Sequence, residues 1–187
     1  PKLPVLVIRH RNLADVRQSI PRLARALGAP VKGQQLLDFM DRNLEAIRHR
    51  HRPGGRTPRI LLLVSRAGGG LGKPILAGPG TFLSELLELA GGKNACPGPV
   101  PYPQMGPEAL MRLAPDGVVD ISVFDSGVTR AERASWWACI PFEEPIRGKR
   151  LLTVEADFWV RPGPRLVQIA RKLAEFIDQL PSESGPA

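Results

Sequence analysis

The chain has 187 residues, enough to bury a sizeable core, and its 43% hydrophobic and 24% charged residues are the balance of a globular chain, not a disordered one. Glycine (19) and proline (20) make up about a fifth of it with no collagen-like period, so its elements must be short and often interrupted. The formal net charge is +8, carried mostly by arginine, and no apolar run approaches the roughly 20 residues of a membrane span.

Residues 4–8 (Pro-Val-Leu-Val-Ile) read as a buried strand. Asn12 then caps a helix with Leu13, Val16, Ile20, Leu23 and Leu27 at helical spacing, ended by Gly28-Ala29-Pro30. A longer helix follows from about Val31 to Arg52, with Leu36, Leu37, Met40, Leu44 and Ile47 on one face. Ile60–Val64 is a continuous apolar run, which predicts a strand covered on both faces in a parallel sheet. A glycine-rich loop, a brief segment at 75–77 and a helix from Thr81 to Ala90 come next. Glu108 opens a short helix behind Gly106-Pro107, 118–123 and 151–154 read as strands, and Trp136-Trp137 close a helix with at least one ring in the core. A last amphipathic helix spans Pro162 to Leu180. Strands alternate with helices, so the expected class is α/β: a mostly parallel sheet flanked by helices, a single Rossmann-like lobe behind a long N-terminal connecting helix. Because the chain starts inside a strand-like run, it is expected to continue from something that precedes it.

Several chemistries fall away on the residues themselves. A nucleic-acid binder gathers its charge into a stripe interleaved with stacking aromatics. The one dense basic stretch, Arg48 to Arg59, holds no aromatic but histidine and ends a helix, where the dipole favours cations. His49 and His51 point to different helix faces, which is poor metal geometry. In Gly68-Gly69-Gly70-Leu71-Gly72-Lys73, Ala67 and Pro74 stand where a phosphate loop needs glycine and a hydroxyl, so it is not a nucleotide cradle. No GxSxG elbow and no cysteine–histidine pair is present, and no intrinsic cofactor or metal is expected. Cys96 and Cys139 lack zinc spacing; they are either one disulfide or two buried thiols.

What remains is a set of loop aromatics and charges. Asp157-Phe158-Trp159-Val160-Arg161 follows the 151–154 strand, where an open α/β sheet binds its ligands. Aromatic rings beside an acid and a guanidinium suit a large ligand with an apolar face and a polar anchor. Pro101-Tyr102-Pro103-Gln104 is a second rigid loop bearing an aromatic.

These loops, taken with Gly80–Asn94, Pro107-Glu108, Ala114-Pro115-Asp116 and Asp157–Arg165 in that order and spacing, resemble the C-terminal lobe of the substrate-binding proteins of cobalamin and ferric-siderophore ABC importers. The resemblance implies that residues 1–57 are the end of an N-terminal lobe plus the helix joining the lobes, 58–181 the substrate-binding lobe, and 182–187 a tail. It implies an extracytoplasmic receptor, not an enzyme, for a corrinoid or a ferric-siderophore or haem-type chelate. Tyr102 would stack on the ligand where cobalamin binders carry tryptophan, Asp157 and Arg161 would line the cleft with Phe158 or Trp159 nearby, and Ile75 would flank it. Glu108 would dock on an arginine pocket of the membrane permease. Cys96 falls where the cobalamin binder has a disulfide cysteine; the usual partner in the last helix is absent, and Cys139 would serve only within about 7 Å, Cα to Cα. No nucleic-acid partner and no membrane span is expected. The alternative is a small α/β interaction module that meets an anionic partner through the arginine-rich 48–59 segment.

Overall fold

A computed structural model describes residues 5–50, 56–66, 73–121, 128–142 and 146–181. Two helices open the chain, α1 (Leu13–Ala26) and α2 (Pro30–Arg50). Asn12 caps the first as expected, its Oδ1 accepting from Asp15 N at 2.8 Å. The turn between them is tight because Gly28 takes φ +67°, the left-handed conformation that glycine adopts without strain. The helices cross closely where Gly33 faces Ala24; a Cβ there would lie 2.2 Å from the Ala24 methyl.

The sheet comprises β1 (Arg59–Arg66), β2 (Pro74–Leu76), β3 (Lys93–Asn94), β4 (Gly117–Asp120) and β5 (Leu151–Thr153), in the order β2-β1-β4-β5 with β3 also on β1. The remaining helices are α3 (Phe82–Leu89), α4 (Pro107–Arg112), α5 (Arg130–Ala138) and α6 (Leu166–Gln179). β1 pairs with β3 and β4 in parallel, and β4 with β5 in parallel. β1 is covered on both faces, as its apolar run predicts. Ile60 and Leu62 enter one core with Met40, Leu83 and Leu173, while Leu61 and Leu63 enter another with Leu110 and Trp137. The α/β, mostly parallel class is therefore the observed one.

Three expectations change in detail, and the brief segment at 75–77 resolves into a strand, β2. Residues 5–8 form no strand: among the described residues no strand pairs with them, and Val5 and Val7 are 80% and 70% exposed. β2 is antiparallel to β1, since the connection from Arg66 to Pro74 is too short for a crossover. α6 begins at Leu166 and not at Pro162, because Pro162 and Pro164 hold the residues before them out of the helical region. β4 ends at Asp120, and residues 122 and 123 lie outside the described residues.

Candidate functional site

Because β1, β4 and β5 are parallel, their carboxyl ends share one edge of the sheet. The chain leaves β5 there, fixed by the Val154 N–H donating to Asp120 O at 2.9 Å, and enters a 3-10 turn over Asp157–Val160. Asp157 and Arg161 sit four residues apart on this turn and form an exposed ion pair at 2.9 Å. The Arg165 guanidinium lies 5.1 Å from the half-buried Phe158 ring. Trp159 departs from the ligand-contact role expected of it. It is 3% exposed, because the tight turn rotates it into the core, where it anchors the turn from below.

At the other side of the sheet, residues 101–105 run antiparallel to β2. Leu76 N donates to Pro103 O at 3.0 Å, Met105 N to Pro74 O at 3.1 Å, and Ile75 bridges Gln104. This run is parallel to β1, so it carries the chain up to the same edge and delivers Glu108, exposed in the first turn of α4, there. Tyr102 lies on the flank, level with Ala77 and set back about 10 Å, three residues, from the Met105 end. Its ring is 46% exposed, and partial burial raises its phenol above the ordinary tyrosine range. Ile75 is half-buried on β2, between that run and β1. Four inter-strand steps of roughly 4.8 Å separate the 101–105 run from β5, about 19 Å across the sheet. The structure thus brings Asp157, Phe158 and Arg161 together and sets Tyr102 and Ile75 apart from them, with Glu108 at the shared edge.

Beneath the edge is a polar network that the sequence reading misses. Arg66 ends β1 and Asp120 ends β4; their side chains form a fully buried ion pair. Trp137 Nε1 donates to the same Asp120 carboxylate at 2.8 Å, and the Arg66 guanidinium lies 4.7 Å from the Trp136 ring. Buried Arg133, on the same helix as both tryptophans, donates to Val154 O at 3.2 Å and so holds the exit of β5. The only sequence signal for it is a charge beside each of two short apolar runs, Ile60–Val64 and Val118-Val119.

Other sequence features resolve more simply. Cys96 and Cys139 are both free thiols: the first is buried, and burial pushes it up to about 11; the second is exposed. In the basic stretch, Arg50 reaches Asp178, Arg56 reaches Asp116 and His49 reaches Glu45, while Arg59 donates to Leu113 O. These are intrachain contacts spread over several elements. Residues 51–55 and 67–72, including His51 and most of the glycine-rich loop, lie outside the described residues. Among the described residues no group of three or more His, Cys, Asp or Glu is placed to hold a metal ion, and no helix is long and apolar enough to cross a membrane.

The profile of the periplasmic binding protein family matches residues 1–120. An uncharacterized ABC transporter substrate-binding lipoprotein of Bacillus subtilis, YvrC, is 26% identical over 169 residues, 89% of this chain and 51% of its own length. The vitamin B12-binding protein of Pectobacterium carotovorum is 24% identical over 99% of this chain and 63% of its own. Among solved structures, the periplasmic heme-binding protein BhuT in complex with two hemes superposes with a TM-score of 0.72 at 27% identity, over 92% of this chain and 65% of that one. A possible iron-binding protein of Staphylococcus epidermidis superposes with a TM-score of 0.76 at 19% identity, covering 92% and 65% of the two chains, which shows shared fold. The chain spans about half to two thirds of the length of these proteins.

Proposed function

We propose that this chain, which belongs to the periplasmic binding protein family, is the C-terminal lobe of the extracytoplasmic substrate-binding component of an ABC importer, and that its cargo is a large metal chelate: a corrinoid, a haem or a ferric siderophore. The observation that carries the reading is the layout of the sheet edge. A charged, aromatic-backed turn follows β5, about 19 Å across the sheet from the run that carries a proline-braced tyrosine, a span that a small solute does not cover and a macrocycle or chelate approaches. The vitamin B12-binding relative and the heme-binding neighbour support that class of cargo.

In this reading the lobe binds and does not convert. Tyr102 offers a ring face, Asp157 and Arg161 are the polar anchor, Phe158 backs the anchor, and Ile75 lines the flank between. The Glu108 carboxylate, exposed at the same edge, meets a cationic pocket on the permease in a charge-assisted contact. Residues 1–57 are the end of a first lobe and its connector, and 58–181 the second lobe. Support for this division comes from the exposed apolar side chains, which concentrate in the connector: Val5, Val7, Leu27, Val31 and Phe39 are all at least half exposed.

The test is titration of the family-length protein with cyanocobalamin, hemin and a ferric siderophore, following tryptophan quenching and ligand absorbance. One of the three should saturate, and Tyr102→Ala and Asp157→Ala should each weaken it by about tenfold or more. Glu108→Ala should leave that affinity unchanged while abolishing uptake through the permease. Absence of saturable binding with all three probes overturns the cargo class, and unchanged affinity in both site variants moves the site elsewhere.

A further inference from the structure

Tyr102 is set back from the sheet edge, and something must hold its loop there. Gly78 is in close contact with that loop. Its N–H donates to Pro101 O at 2.7 Å, and its carbonyl accepts from Thr81 Oγ1 at 2.8 Å. Ala77, just before it, donates to Leu62 O at 2.9 Å and accepts from Asn94 Nδ2 at 2.9 Å. The 77–78 backbone is therefore held from β1, from β3, from the Thr81 cap of α3 and from the loop itself. A Cβ on Gly78 would lie 2.4 Å from Val100 O and 3.3 Å from Pro101 O. Ordinary contact begins near 3.4 Å, so any side chain drives the Val100–Pro101 backbone outward by about 1 Å.

We propose that Gly78 is a positioning residue for Tyr102: the space left by its missing side chain seats the Val100–Pro101 backbone and thereby fixes where the ring stands on the flank of the sheet. The displacement travels because the loop is stiff. Pro101 and Pro103 lock φ on either side of Tyr102, and Pro103 further confines Tyr102 to extended conformations. A shift at the base therefore moves the ring as a rigid unit instead of dissipating in the loop. The role of the ring as ligand contact rests on the function proposed above; the seating of the loop does not.

Tyr102 is the only tyrosine in the chain, which makes the loop directly observable by ultraviolet titration. Gly78→Ala should lower the Tyr102 phenol titration toward 10, the value of an exposed tyrosine, and weaken whichever of hemin and cyanocobalamin the protein binds by about tenfold. In a Tyr102→Ala background the same substitution should change affinity less than twofold while its effect on thermal stability persists. That pattern separates positioning from a general loss of structure. Gly106→Ala, where a new Cβ meets nothing within 4 Å, should change neither readout. A wild-type phenol titration in Gly78→Ala, or an equal affinity loss with and without the Tyr102 ring, overturns the proposal. If neither probe binds the unaltered protein, the phenol titration alone decides this proposal, and the cargo reading fails only if the ferric siderophore does not bind either. If Gly78→Ala does not fold, hydrogen exchange on the unaltered protein decides: slow exchange of the Leu76 and Gly78 amides is expected, and exchange at exposed-loop rates overturns the proposal.

Discussion

Substituting Asp120 tests whether the network beneath the sheet edge supports the candidate site. The carboxylate is fully buried, is paired with the buried Arg66 guanidinium and accepts from Trp137 Nε1 at 2.8 Å. Asp120→Ala withdraws the Asp120 charge from Arg66 and leaves a buried indole N–H without its acceptor. Breaking a buried pair by removing one partner costs about 3–5 kcal/mol, and an orphaned buried donor about 1–3 kcal/mol, terms that overlap; a loss of about 4 kcal/mol is expected. For a chain of this size each kcal/mol lowers Tm by about 2–4 °C, so the melting temperature should fall by about 8–16 °C. Asp120→Asn keeps an acceptor for Trp137 but not the charge, and should fall between wild type and alanine. Urea unfolding followed by far-UV circular dichroism, at low and at high salt, is the assay. The loss should be insensitive to salt because the pair is out of solvent. A loss below 1 kcal/mol, or one that vanishes in high salt, refutes the assignment of a buried, desolvated pair.

Two further predictions follow from single contacts. Alkylation of the native protein at pH 8 should label exposed Cys139 and spare Cys96 until denaturant is added. Since burial holds the Cys96 thiol near 11, above its unfolded value near 9, it favours the folded state fully below pH 9 and progressively less as pH rises from 9 to 11. Labelling of both thiols at equal rates, read by mass spectrometry, would contradict the buried placement of Cys96. Gly33→Leu should force apart the α1–α2 crossing, where even a Cβ lies 2.2 Å from that of Ala24, and cost about 2–3 kcal/mol in urea unfolding. Wild-type stability would mean that the two helices do not pack this closely.

The sequence discloses what depends on local pattern and conceals what depends on partners far along the chain. Asn12 and Thr81 cap their helices as side chains of that type do, and the Ile60–Val64 run signals a strand covered on both faces. Arg66 and Asp120 give no such signal: a charge beside a short apolar run looks solvated, and only pairing across 54 residues of chain, beneath two tryptophans, buries both. Phe158 and Trp159 are indistinguishable as loop aromatics in the sequence. The 3-10 turn decides between them, turning Trp159 inward and leaving Phe158 beside Arg165. Residues 5–8 show the converse limit, since their strand-like composition produces no strand where, among the described residues, no partner strand is hydrogen-bonded to them.

The candidate site is a rigid platform with a polar rim, and the two layers have separate sources. Below, the Arg66–Asp120–Trp137 network and the Arg133 bond to Val154 O pin the carboxyl ends of β1, β4 and β5 to one another and to α5. Above, Asp157 and Arg161 spend their charges mainly on each other, at 2.9 Å in solvent, an arrangement that contributes little to stability. A contact of such small structural value is readily exchanged for one with a ligand. The pair can open toward an incoming polar group without loss of fold, because Trp159 and the β5 exit hold the turn in place from beneath. Under the proposed function, affinity depends on how much of the roughly 19 Å between that turn and the Tyr102 run a ligand covers at once, and a ligand reaching only one end gains a single anchor. Fragments of a chelate that carry its polar groups but not its ring face should accordingly bind no better to the native lobe than to its Tyr102→Ala variant.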